Sequence, residues 1–359
     1  MNGASFFENH MTESNKRIDY IDALKAFAMF LVVLGHAIPA SPATAYIYSF
    51  HIQLFFLLSG VVFSSARSKS YDKFLISKIK SLLVPYFCFA LISIAVYWAA
   101  TELFSLNLGG EPQSLKEMLL GMLFASKYNN YLQFNTPLWF LPALFVMENV
   151  MYFVTRIIRG KGSAIAVLSF FLATSLVYQL AIPEVVFPWG IDVMLNHTLF
   201  FCIGYLLREK LLIPSDAVQN RGIRIASGVA AILVGAAIRL LSMPYEADYF
   251  IPFTLINYIS TFCGVFGWIA LFSALKFPKF ICRLGQYTMA ILVMHKFPLQ
   301  FFASVVPYFS TWLSESNFLA GVVVSAVSML LCVLVGMLIY KIAPFVLGKT
   351  RKKAALAAQ

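Results

Sequence analysis

Arg17-Ile-Asp-Tyr-Ile-Asp22-Ala-Leu-Lys25-Ala-Phe-Ala-Met-Phe-Leu-Val-Val-Leu-Gly-His36 reads as one apolar helix that carries a short row of charges. Lys25 and His36 stand eleven positions apart, almost three whole turns of an α-helix, so both project from one face about 16 Å apart along the axis. Asp22 joins that face one turn before Lys25. A charge in hydrocarbon costs several kcal/mol unless it is paired or hydrated, so this stripe must face a protein interior or a water-filled cavity. The segment is therefore a membrane span with a polar face, one of several spans packed together.

The rest of the chain agrees. Of 359 residues, 60% are hydrophobic and 12% charged, against about 25% charged in soluble globular chains. Apolar runs long enough to cross a bilayer fall at roughly 20–38, 45–65, 81–101, 137–156, 163–181, 192–207, 223–241, 252–274, 287–306 and 317–340. The expected fold is an all-α polytopic integral membrane protein of about ten transmembrane helices. It divides into a tail at 1–19, a membrane domain at 20–340 and a basic tail at 341–359. With the N-terminus cytoplasmic, 22 of the 27 Lys and Arg residues collect on the inner side. That asymmetry places both termini inside and explains the net charge of +11 without nucleic acid as a partner.

Two further readings follow from local composition. Lys16 and Arg17, an apolar run and then Ser41-Pro42-Ala43-Thr44-Ala45 have the outline of a secretory signal, but Asp19, Asp22, Lys25 and His36 are foreign to such a segment. The five cysteines are scattered through apolar runs without CxxC spacing, so neither a disulfide frame nor a metal site is expected. The segment 102–136 reads as an external loop with an amphipathic stretch at 114–125.

Further ionisable residues lie at membrane depth: His51, Glu148, Asp192, His197, Arg239, His295 and Lys296. Each alone is more often a satisfied interior group than a catalyst. Together they suggest a polar cavity, and imidazole is the side chain suited to moving protons near neutral pH.

Ordered motifs then carry a resemblance. Lys25-x10-His36 lies within Ile-Asp-Ala-Leu-Lys-Ala-Phe-Ala. Phe50-His51 precedes Leu54-Phe55-Phe56-Leu57-Leu58-Ser59-Gly60. Leu82-Leu83-Val84-Pro85-Tyr86, Pro137-Leu138-Trp139-Phe140-Leu141, Phe201-Cys202-Ile203-Gly204-Tyr205 and Met294-His295 follow in order. In this set the chain resembles the membrane-bound acyltransferase-3 family over nearly its whole length. One departure is visible: where the family often has a basic pair spaced RxxR, this chain reads Lys78-Ile79-Lys80-Ser81. Lysine offers a point charge where arginine offers a fork.

The resemblance implies transfer of an acyl group, most often acetyl, from cytoplasmic acyl-CoA to a hydroxyl of a cell-surface glycan or its lipid-linked precursor. It implies residence in a bacterial cytoplasmic membrane, among membrane lipids. His36 is the expected general base or covalent acyl carrier, with Asp22 pairing Lys25, and Lys25 or a nearby amide stabilising the thioester oxyanion. Glu148, His51 and His295 are supporting candidates. Arg67, Lys73, Lys78 and Lys80 form a basic patch suited to CoA phosphates, although positive-inside topology or anionic lipid also accounts for such a patch. A stand-alone member without an appended hydrolase-like domain is expected, of the sugar O-acetylase type, with succinyl transfer next. Two readings from other classes compete: a proton-coupled secondary transporter, and a non-catalytic partner in polysaccharide synthesis or export.

Overall fold

The computed structural model describes residues 17–64, 70–103, 113–213, 218–245, 250–305 and 318–349. Every regular element among these residues is a helix, with no strand among them. In chain order the helices are α1 (Asp19–Ala37), α2 (Pro42–Val62), α3 (Tyr71–Leu103), α4 (Leu115–Phe124), α5 (Phe140–Ile157), α6 (Lys161–Ala181) and α7 (Ile191–Leu211). They continue as α8 (Arg221–Ser242), α9 (Phe250–Ala274), α10 (Lys279–Leu284), α11 (Thr288–Met294), α12 (Lys296–Val305) and α13 (Phe318–Ile342). Nine helical segments among the described residues are long and apolar enough to cross a membrane.

The ninth expected span, 287–306, is interrupted at His295 into α11 and α12. Pro298 explains the interruption, because it has no N–H for the carbonyl of Met294 and its ring crowds that carbonyl. The loop expected at 102–136 contains α4, which opens on a capping box: the Ser114 hydroxyl accepts from Glu117 N, and the Glu117 carboxylate accepts from Ser114 N at 2.7 Å. The small-residue stretch at 41–45 is likewise a helix start. Ser41 and Thr44 cap each other's backbone amides and Pro42 occupies the first turn of α2.

The bundle is knitted by close backbone approaches. A Cβ added to Gly60 would stand 2.0 Å from the Phe201 carbonyl oxygen, and one added to Gly204 would stand 2.0 Å from that of Leu57. The glycines of two motifs thus let α2 and α7 touch backbone to backbone. A widened π-helical turn at Ile79–Leu83 lies within α3 just before Pro85. Proline withholds the N–H that Ser81 O would meet in a regular helix, and the wider turn accommodates this. Gly348, at φ +69°, packs against that same carbonyl.

Contacts at one end of the bundle draw its basic residues together. Tyr20 donates its hydroxyl to Leu211 O, Arg208 donates to Phe63 O, and Gly348 rests on Ser81. This basic end contrasts with the far end of α1, where the histidines lie. Burial continues between the ends in two clusters that share α1 and α2, one built around Phe56, Phe89 and Met147 and the other around Tyr20, Phe50 and Leu57.

Candidate active site

A cavity of about 600 Å³ runs along the polar face of α1. Its wall includes Lys25 and His36 from α1, Tyr48, His51 and Gln53 from α2, and His197 from α7. Lys127, Tyr128, Thr136 and Trp139 line it from the segment joining α4 to α5, while Thr288, Met289 and Leu292 come from α11. The size lies within the ordinary range for small-molecule sites. Helical periodicity is what turns Lys25, Met29, Val32 and His36 of α1 onto one wall.

At the basic end Lys25 forms an ion pair with Asp22, 3.7 Å between charged atoms. The start of α1 is pressed against the turn after α10, where a Cβ on Gly285 would meet Asp22 O at 1.9 Å. The pair is therefore anchored from its backbone, and Lys25 extends from it into the cavity.

At the other end His36 is the most exposed of the four described histidines, opening to the cavity, whereas His51 and His295 are buried. The His36 and His295 rings have centroids 5.5 Å apart. His295 directs Nδ1 to Ile291 O at 2.8 Å, and His51 directs Nδ1 to Ile47 O at 2.8 Å. A carbonyl only accepts, so in both rings Nδ1 carries the proton and Nε2 presents a lone pair when the ring is neutral. His295 Nε2 has no hydrogen-bond partner among the described residues.

The 3₁₀ segment Gln133–Trp139 is held against this site from below. Lys296 donates to Gln133 O at 2.9 Å and to Thr136 Oγ1 at 3.4 Å. Asn135, fully buried, donates to Ser93 Oγ at 2.9 Å and Val293 O at 3.0 Å. The Thr136 oxygen accepts from Lys296, and its O–H meets no acceptor among the described residues, so it can donate to a ligand.

The structure distributes the other candidates differently from expectation. Lys78, expected on an open basic patch, forms a 2.8 Å ion pair with Glu148 and lies over the rings of Phe63 and Phe74. Neither Lys78 nor Glu148 lines the cavity. Their union follows from burial, since each charge within the α3–α5 contact needs the other. Lys73 and Lys80 are exposed at the basic end, with Lys80 in the π-helical turn. Arg67 lies outside the described residues. Lys25 and His36 stand about three helical turns apart on one face of α1, and both line the cavity. The five cysteines are free, and no cluster of metal-ligating side chains occurs among the described residues.

Lys127, Thr136 and Trp139 were not among the candidates chosen from sequence. A lysine in the stretch Ala125-Ser126-Lys127-Tyr128 shows no helical period that would tie it to α1. Trp139 belongs to a motif, and that motif was the available signal.

No curated protein and no solved structure matches the chain. The model of one family does, described as an acyltransferase domain and matched over residues 18–337, from the turn before α1 to the last third of α13. The matched span includes the whole cavity wall, and with the membrane-spanning helices around it the chain belongs to the acyltransferase-3 family of membrane acyltransferases.

Proposed function

We propose that this protein is an O-acyltransferase of a bacterial cytoplasmic membrane, which moves an acetyl or other short acyl group from cytoplasmic acyl-CoA to a hydroxyl of a cell-surface glycan or its lipid-linked precursor. The observation that carries the reading is one cavity with Lys25 at its basic end and His36 at its other end. By the positive-inside rule the basic end is cytoplasmic. Exposed Arg17 and Lys80, with Lys349 beside the π-helical turn, then offer positive charge to CoA phosphates. The pantetheine arm passes Lys25, and the thioester meets the acceptor beside His36.

In this mechanism the neutral His36 imidazole takes the proton of the acceptor hydroxyl as its oxygen attacks the thioester carbon. Thr136, which lines the cavity and whose O–H meets no acceptor among the described residues, donates to the oxyanion that forms. Collapse breaks the C–S bond, and the proton on His36 passes to the departing sulfur, leaving an ester and free CoA. His295, whose ring centroid stands 5.5 Å from that of His36 and whose Nε2 has no partner among the described residues, is assigned as a positioning residue that favours the protonated His36 ring as it forms.

The test supplies radioactive acetyl-CoA to inverted membrane vesicles containing the protein. Alkali-labile label in glycan or lipid-linked material supports the reading. The interrupted helix at His295 is a feature that carriers share, and absence of both labelling and CoA binding would favour that second reading.

A further inference from the structure

Lys127 is a half-buried cation on the cavity wall. Its Nζ lies 4.7 Å from the ring centroid of Tyr128 and 5.2 Å from that of Trp139. Among the described residues no carboxylate comes within 4 Å of it, and its ammonium makes no hydrogen bond there. Lys296, by contrast, spends its donors on Gln133 and Thr136. Among the described residues the cavity wall carries Lys25, Lys127 and three histidines but no aspartate or glutamate. Asp192 attracts Lys127 only from a distance, and burial holds the ammonium below the usual lysine range. Aromatic faces steady a cation and leave its N–H groups without acceptors.

We propose that Lys127, between Tyr128 and Trp139, forms an anion-binding subsite in the reaction cavity, which takes a carboxylate or phosphate borne by the molecule that reacts at His36. The inference rests on the acyl-transfer reading and adds a charge requirement to it. The anion has two possible carriers: the distal end of a dicarboxylic acyl group, or the acceptor saccharide. A charge-assisted hydrogen bond from an ammonium that makes none among the described residues makes the anionic ligand the tighter one.

The full-length protein in lipid nanodiscs tests this by direct binding, independent of turnover. The probes are two pairs: acetyl-CoA against succinyl-CoA, and methyl glucoside against methyl glucuronide. The wild type is expected to favour the anionic member of one pair by about tenfold, the difference that one charge-assisted hydrogen bond makes. Lys127→Met should abolish that preference, and Lys127→Arg should keep it. Preference in the first pair assigns the anion to the acyl group, and in the second to the acceptor. No preference in either pair, or one that survives Lys127→Met in protein whose thermal unfolding is unchanged, overturns the subsite. Failure of label transfer with the binding preference intact counts against acyl transfer and not against the subsite.

Discussion

The ring centroids of His36 and His295 stand 5.5 Å apart, one ring opening to the cavity and the other buried with its Nε2 unpartnered among the described residues. Neither position suggests the other in sequence. The contact exists because α11 and α12 meet at His295 and bring that turn against the end of α1. A buried lone pair beside a base is a means of holding charge that develops during proton transfer.

His295→Asn is expected to lower kcat about 10- to 100-fold with little change in KM for the donor, as loss of a group that supports another does. The pH profile should shift as well, because support for the protonated ring is gone. An unchanged kcat and profile would remove His295 from the mechanism.

Glycine at 60 and 204 is a steric requirement. Gly60→Ala and Gly204→Ala each put a methyl group 2.0 Å from a backbone carbonyl of the opposite helix. Overpacking costs about 1–3 kcal/mol, and more where backbone must separate. Either variant should unfold at lower temperature in detergent than the wild type, and Gly222→Ala, with open space around it, should not.

The Lys78–Glu148 pair makes a different kind of prediction. Removing one partner strands a charge in the bundle, at about 3–5 kcal/mol, whereas replacing both with apolar residues is often tolerated. Lys78→Met should therefore unfold readily, and Lys78→Met combined with Glu148→Leu should recover most of the loss. If the double variant is stable yet fails to bind CoA, Lys78 has a direct part in donor binding after all.

Lys349 supplies a pH dependence. Burial, with a smaller contribution from Arg17, lowers its pKa to about 8, while an unfolded lysine titrates near 10.4. The unfolded chain then binds more protons between about pH 8 and 10, so this residue's contribution to stability rises with pH across that window. Thermal unfolding of Lys349→Met should lack that rise, and a slope equal to the wild type would refute the assignment.

Much of this molecule is legible from one chain. The stripe of α1 could be read because 3.6-residue periodicity alone places Lys25 and His36 on one wall, and the same logic paired Asp22 with Lys25. Apolar length located the spans. What escaped depends on packing between elements far apart in sequence: no period links Lys78 to Glu148, or Lys127 to His36. The break at His295 had a local signal in Pro298, but the run 287–306 is apolar enough to read as one span. Ser41-Pro42-Ala43-Thr44 shows the reverse case, where the composition of a cleavage site is a helix cap once the backbone amides are traced.

The proposed mechanism stands on His36, which performs the proton transfer at the far end of a cavity entered past Lys25. Its most direct measurement is acyl transfer from radioactive acetyl-CoA in inverted vesicles carrying wild-type protein or His36→Ala, with expression and thermal unfolding matched. Loss of a general base predicts a fall of about 100- to 10,000-fold in transfer with donor binding retained. Transfer at the wild-type rate in the alanine variant would contradict the account.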